Sequence, residues 1–127
     1  MFVLKFGVWS GFYHDLTPEE AVLEFEKYGY SYSDLCFQHS VALVNRGDIV
    51  NEGRKFKKFA DAHNVTFLQA HFSPLCNLCK SEGLEMLKKQ LDLYVAMEIK
   101  YAVLQCRFEK QNAFAKKWTG KANYANA

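Results

Sequence analysis

Short apolar runs alternate with amphipathic segments along most of the chain. Four runs rich in β-branched and aromatic residues predict buried strands at residues 2–9, 33–38, 65–70 and 101–106. The strands begin roughly 30 to 35 residues apart, with one helix predicted between each strand and the next. This βαβ rhythm predicts a parallel sheet with right-handed crossovers.

The segments between the strands repeat apolar residues at helical spacing. The first helix carries clear terminal signals: Thr17 can cap it, Pro18 suits its first position, Glu20 completes a capping box, and Gly29 ends it. A second helix is predicted at residues 49–63 after a polar loop, and Ser81 is predicted to cap a third. The predicted inward faces are Ala21, Val22, Phe25 and Tyr28; Val50, Phe56, Phe59 and Ala60; and Leu84, Leu87, Leu91 and Tyr94.

Composition changes this picture at one end of the chain. The 127 residues, half of them apolar, are enough to bury the core of one domain. The net charge is +2, but residues 107–127 carry five basic side chains and one acid, which leaves −2 for the rest. We therefore predict a domain at residues 1–106 and an off-pattern basic tail at 107–127. The balance predicts no general attraction to nucleic acid or membrane.

Compartment is predicted from two further features. No apolar run approaches the roughly 18 residues of a membrane span, and residues 1–9 do not have the form of a secretory signal. Four cysteines in such a chain are most simply reduced thiols. We therefore expect a cytoplasmic protein.

A parallel βα chain can form an open doubly wound sheet or a barrel. An open nucleotide-binding sheet normally has a glycine-rich turn after its first strand, whereas this chain has the aromatic "SGFYHDL". The pattern favours a barrel, in which functional groups lie at the carboxyl ends of the strands.

Three stretches, in order, carry a family resemblance: "GVWSGFYHDLTPEEAVLEFEKYGYSYSDLCFQHS", "FLQAHFSPLCNL" and "MEIKYAVLQC". From about residue 3 to 106 the chain resembles the N-terminal half of the xylose-isomerase-like TIM barrels, also called AP endonuclease family 2. The resemblance implies an α/β fold, a partial (β/α)8 barrel of about four parallel strands with intervening helices. It also implies a sugar phosphate isomerase or epimerase-like protein, with a divalent metal (Mn, Mg or Zn) in intact relatives.

His71 is the leading candidate site residue, because the third strand of such barrels commonly ends in a histidine that faces the active site. The resemblance makes it a substrate-binding residue and a candidate metal ligand, with Pro74 turning the chain over the rim; the alternative is a histidine merely hydrogen-bonded at a strand end. His39, just past the second strand, is either a second substrate-binding histidine or a solvated loop residue. Trp9 and Phe12, after the first strand, are expected to offer an apolar surface to a sugar, unless they are plain core.

Gln105 is the fifth candidate for substrate binding. It stands where the fourth strand of this family often ends in a histidine, and an amide is a poorer metal ligand than an imidazole. The lone C-x-x-C at Cys76 and Cys79 is read as thiols in a rim loop; a zinc site made with His71 and another thiol is the alternative.

A (β/α)8 barrel takes about 250 residues, and in this family the metal-binding and acid–base residues come mostly from later strands. We therefore expect a truncated, inactive chain that binds no metal tightly. Its partners would be a sugar or sugar phosphate and, through open sheet edges, further copies of itself. The alternatives are a self-associating half-barrel that acts as a binding module, and an endonuclease IV-like, zinc-dependent DNA repair protein. Two features count against the DNA repair protein: Gln105 in place of a histidine, and the net charge of −2 on residues 1–106.

Overall fold

The chain folds into one parallel four-stranded sheet. The computed structural model describes residues 3–73 and 77–104. Strands β1 (Val8–Trp9), β2 (Tyr32–Leu35), β3 (Thr66–His71) and β4 (Tyr101–Val103) lie side by side in chain order, each parallel to its neighbour. The helices are a 3-10 turn (Ser10–Tyr13), α1 (Pro18–Lys27), α2 (Phe37–Val44), α3 (Ile49–Ala62) and α4 (Ser81–Ala96). The predicted α/β class and parallel sheet are confirmed.

Sequential strand order places the connecting helices on one face, because parallel crossovers are right-handed. The core lies between this face and the helices, where Leu35, Phe56 and Leu93 are almost fully buried. Phe56 of α3 packs on Phe67 of β3 with 5.4 Å between ring centroids. The opposite face of the sheet, called the open face below, is covered by no helix among the described residues.

The amino-terminal signals of α1 act as predicted. The Glu20 backbone N–H donates to Thr17 Oγ1 at 3.2 Å, and the Thr17 N–H donates to Glu20 Oε2 at 2.8 Å. Pro18 is the first helical residue, and Gly29 follows the helix with φ of 76°. This local chemistry fixes where the chain leaves the 3-10 turn, and therefore where α1 packs.

Helix α2 was missed by the sequence analysis. Strand β2 ends at Leu35, and Phe37–Val44 forms a helix where the predicted strand ran to residue 38 and a loop followed. Cys36, still extended, is its N-cap, and Leu43 and Val44 are buried in the core. Residues 37–44 bury their apolar side chains by forming a short helix against α4. The first residues of this segment continue a strand-like pattern, and for that reason the sequence analysis did not predict the helix.

Several predicted inward positions are wrong. Tyr28, Val50, Leu84 and Leu91 are 42–59% exposed, and in α4 the buried residues are Gln90, Leu93 and Tyr94. Lys80, not Ser81, is the N-cap of α4. Strand β1 spans two residues instead of eight, and residues 3–6 before it are exposed. Of the predicted fourth strand, residues 105 and 106 lie outside the described part.

None of the helices in residues 3–73 and 77–104 combines the length and apolar character needed to cross a lipid bilayer.

Candidate functional site

Three polar side chains meet on the open face at the carboxyl ends of β2 and β3. Asp34 of β2 pairs in register with Gln69 of β3, while Ser33 pairs with Phe67, so Leu68 has no partner on β2. This extra residue is a β-bulge, which reverses the alternation of side chains beyond it. Phe67 is therefore buried against α3, whereas Gln69 and His71 share the face of Asp34. The bulge creates the cluster.

Asp34 is hydrogen-bonded to both of its neighbours on β3. His71 Nδ1 lies 2.9 Å from Asp34 Oδ1, and Gln69 Nε2 donates to Asp34 Oδ2 at 2.7 Å. The side chains of His71 and Asp34 are 27% and 16% exposed, so the pair is half-buried and reachable from solvent. In the part of the chain that the structure describes, His71 Nε2 has no hydrogen-bond partner.

A buried polar network holds the backbone at the end of β3. The Tyr94 hydroxyl of α4 donates to the His71 carbonyl oxygen at 2.7 Å and lies 2.8 Å from Ser40 Oγ of α2. Gln90 Nε2 donates to Ser40 Oγ at 2.9 Å, and Gln90 Oε1 accepts from the Ser73 N–H at 3.4 Å. Helices α2 and α4 thus anchor the segment that carries His71.

An aromatic surface borders the cluster on the β1 side. Trp9 pairs in register with Asp34, so both side chains lie on the open face, and the indole is 42% exposed. Phe12, 72% exposed, meets Trp9 edge-to-face with 5.9 Å between ring centroids. The Trp9 ring covers Gly11, where an added Cβ would lie 2.3 Å from a ring carbon. A side chain at residue 11 would therefore force the indole to shift.

His39 lies at the same edge of the sheet but does not join the cluster. It belongs to α2, is 2% exposed, and its Nε2 lies 2.9 and 3.1 Å from the carbonyl oxygens of Tyr13 and Leu16. Nδ1 lies 3.1 Å from Ser10 Oγ, which accepts from the Cys36 N–H. The alternative of a solvated loop residue is wrong: helix α2, which the sequence analysis missed, and the 3-10 turn enclose the imidazole, which ties these two connections together. Substrate binding by His39 stays a prediction.

The buried thiol of Cys36 and the imidazole of His39 influence each other. Burial raises the pKa of Cys36 and lowers that of His39, because it favours the neutral forms. The hydrogen bond between thiol and imidazole acts in the opposite direction, as do the Ser10 hydroxyl on the thiol and the Tyr13 and Leu16 carbonyls on the imidazole, and together these contacts outweigh burial. The pKa of Cys36 is thus lowered from its ordinary value and that of His39 is raised. Since Cys36 is fully buried, the pair has no access to a substrate.

Two grooves lie away from this cluster. One, of about 460 Å³, runs between α3 and α4, and another, of about 420 Å³, lies at the opposite edge of the sheet. Both have lysine and acid side chains in their walls, and Lys57, which lines both, is ion-paired with Asp61 and Glu98. We take the open face as the candidate site because of the polar and aromatic side chains that meet there, although the volumes described above belong to the two grooves.

The structure brings together some of the predicted site residues. His71 ends β3 at the same edge as Trp9 and Phe12, as predicted, while Gln105 lies outside the described residues, as do Pro74 and Cys76. Asp34 and Gln69 were missed. The signal was present in both cases, because each is a strongly polar residue inside an otherwise strand-like run.

The cluster can accept or donate protons and can bind polar groups. An imidazole backed by a carboxylate is suited to proton transfer and also to metal ligation, since ligating histidines usually donate their other N–H to such a partner. Within residues 3–73 and 77–104, no group of three or more His, Cys, Asp or Glu side chains could hold a metal ion. Metal ligation by His71 therefore stays a prediction.

Comparison of the chain with known protein families, with curated proteins and with solved structures finds no match in any of the three.

Proposed function

We propose that β1–β4 form part of a (β/α)8 barrel of the xylose-isomerase-like kind and that the protein is sugar phosphate isomerase/epimerase-like. Sequential parallel strands with helices on one face support this, because such a sheet continues into a barrel when strands are added at its edges. The open face would then be the barrel interior, and its carboxyl edge the substrate site.

The observation that carries the proposal is the Asp34–His71 pair at that edge, next to the exposed Trp9. A sugar presents hydroxyls and apolar C–H faces together. His71 would bind a hydroxyl through Nε2, and the indole of Trp9, with Phe12 beside it, would pack on a C–H face. Polar groups beside exposed aromatic rings are the surface chemistry that this ligand class needs.

Isomerisation or epimerisation moves a proton between or at neighbouring carbons of the sugar. The step needs bases on either side and stabilisation of the developing oxyanion, which Mn, Mg or Zn supplies in the family that the chain resembles. His71 offers one imidazole, where catalytic zinc usually has three protein ligands. The proposal therefore assigns the described residues a role in substrate binding.

Calorimetric titration with aldoses, ketoses and their phosphates, with and without Mn²⁺, tests the proposal. We expect one class to bind saturably, and His71→Ala and Trp9→Ala each to weaken binding about tenfold or more. His63→Ala is the matched control, because His63 also contacts a carboxylate (Nδ1 to Glu26 Oε2, 2.7 Å) but lies at the carboxyl end of α3. Absence of binding, or equal loss in the control, would contradict the proposal.

Self-association is a second proposal, favoured by the apolar surface beside β1. Val3, Leu4 and Phe6 are 61–77% exposed next to this edge strand, and edges of this kind pair readily with other chains. Sedimentation velocity should show association that increases with concentration and is weakened by Phe6→Lys. Val95→Lys, on the exposed side of α4 (74%), should have no effect. A monomer at all concentrations would refute this.

A further inference from the structure

We propose that Asp34 is a positioning residue that keeps the neutral imidazole of His71 in the Nδ1–H tautomer. Gln69 holds Asp34 in place, and His71 therefore presents the lone pair of Nε2 on the open face. Three features of the geometry carry this: the 2.9 Å contact between His71 Nδ1 and Asp34 Oδ1, the 2.7 Å hydrogen bond from Gln69 Nε2 to Asp34 Oδ2, and the bulge at Leu68.

The proton position follows from donor and acceptor chemistry. A carboxylate can only accept hydrogen bonds, so the nitrogen 2.9 Å from Asp34 carries the proton. In neutral imidazole one nitrogen donates and the other accepts, which leaves Nε2 as the acceptor. Without a partner at Nδ1, a histidine side chain prefers the proton on Nε2. The carboxylate therefore reverses the preference.

Gln69 determines how Asp34 is aimed. Its amide donates to Oδ2, which keeps Oδ1 directed at the imidazole, and Gln69 reaches this position because the bulge turns it to the open face. The Asp34 side chain is 16% exposed, so water competes little for its oxygens. The two strands thus fix the carboxylate before any ligand binds, and no ordering of the pair is needed on binding.

The consequence concerns what His71 can recognise. A lone pair at Nε2 accepts a hydrogen bond, so a hydrogen-bonding partner must be an O–H or N–H donor, and a carbonyl or phosphate oxygen is disfavoured while His71 is neutral. Under the proposed function, on which this step rests, the partner is a sugar hydroxyl. The tautomer itself is a property of the ligand-free chain.

Long-range ¹H–¹⁵N spectra of histidine-labelled protein, recorded without sugar at about pH 8.5, read the tautomer directly. We expect His71 to be Nδ1–H in the wild-type chain and mainly Nε2–H in Asp34→Leu. Glu26→Leu is the control: it removes the carboxylate beside His63 and should leave His71 unchanged. His39, whose Nε2 faces two carbonyl oxygens, reports that the fold is intact in each variant.

The wild-type spectrum alone can overturn the proposal, since a His71 with its proton on Nε2 contradicts it whether or not the variant folds. An Asp34→Leu variant that is folded and keeps the Nδ1–H form would also contradict it. Sugar binding is measured separately, so a failure of the proposed function leaves the tautomer result standing.

Discussion

Replacing Tyr94 with phenylalanine should destabilise the fold by removing one buried oxygen beneath the candidate site. The hydroxyl donates to the His71 carbonyl oxygen at 2.7 Å and contacts Ser40 Oγ at 2.8 Å, and Tyr94 is 3% exposed. The ring and its packing on Phe72 remain in the variant, with 5.1 Å between the wild-type ring centroids. The change therefore isolates the hydrogen bonds.

The magnitude follows from what is left without a partner. The His71 carbonyl loses a donor, and the Ser40 hydroxyl, which still accepts from Gln90 Nε2, loses the oxygen to which it can donate. Leaving buried polar groups unpaired costs about 1–3 kcal/mol, so we expect the free energy of unfolding to fall by about 2 kcal/mol. Water can enter such a site only at a further cost, because the neighbours are buried.

Urea denaturation followed by circular dichroism measures this change. With a slope of about 2 kcal/mol per molar, the midpoint should fall by about 1 M. Tyr28→Phe is the matched control: Tyr28 is 59% exposed, and its ring contact with Lys27 survives the change, so its midpoint should stay within about 0.25 M of wild type. A Tyr94→Phe midpoint no lower than that of the control would refute the reasoning.

Three further changes test the fold around the site. Thr17→Ala should lower the free energy of unfolding by about 1 kcal/mol in the same urea assay, through loss of the capping box, and an unchanged midpoint would contradict this. Hydrogen bonding to Arg46 (2.6 and 2.8 Å) lowers the pKa of Glu19 from 4.5, so this stabilisation is present above pH 4.5 and is lost as the pH falls through the folded-state value. Glu19→Gln should therefore be less stable than wild type at pH 7 and equally stable in acid; a difference that persists in acid would contradict the assignment. Gly53→Ala would place Cβ 2.8 Å from Ala96 Cβ, where α3 packs on α4. The free energy of unfolding, measured with heat or urea, should fall by about 1–3 kcal/mol although alanine is the better helix former. A stabilised variant would show that α3 and α4 can separate freely.

The ends of helix α1 could be predicted from the sequence, because short motifs determine them. The capping box of Thr17 and Glu20 and the left-handed Gly29 depend on neighbours within four residues, and both are present as predicted. The parallel sheet was predictable as well, because spacing and helix length constrain the connections. His71 could be placed at the end of β3 for the same reason.

Features that depend on tertiary packing could not be read in the same way. Helix α2 begins with Phe37, Gln38 and His39, which continue a strand-like pattern, and its helical form is stabilised by burial against α4. The bulge at Leu68 shifts the face of Gln69 without any proline or glycine signal, so strict alternation would have assigned Gln69 to the core. Of the hydrogen-bonded pair Asp34 and His71, the sequence analysis named only His71, and it missed the polar Asp34 within its strand-like run.

The most direct measurement of the central claim is a map of where a sugar binds. Two-dimensional ¹H–¹⁵N spectra of the wild-type chain, titrated with the aldoses, ketoses and phosphates named above, report on Trp9 through its indole N–H and on His71 through its imidazole. We predict saturable shifts of both signals, and none at His63 or Val95, on the helices away from the open face. Shifts confined to the groove between α3 and α4, or no saturable shift with any sugar, would contradict the assignment of the open face as a sugar site.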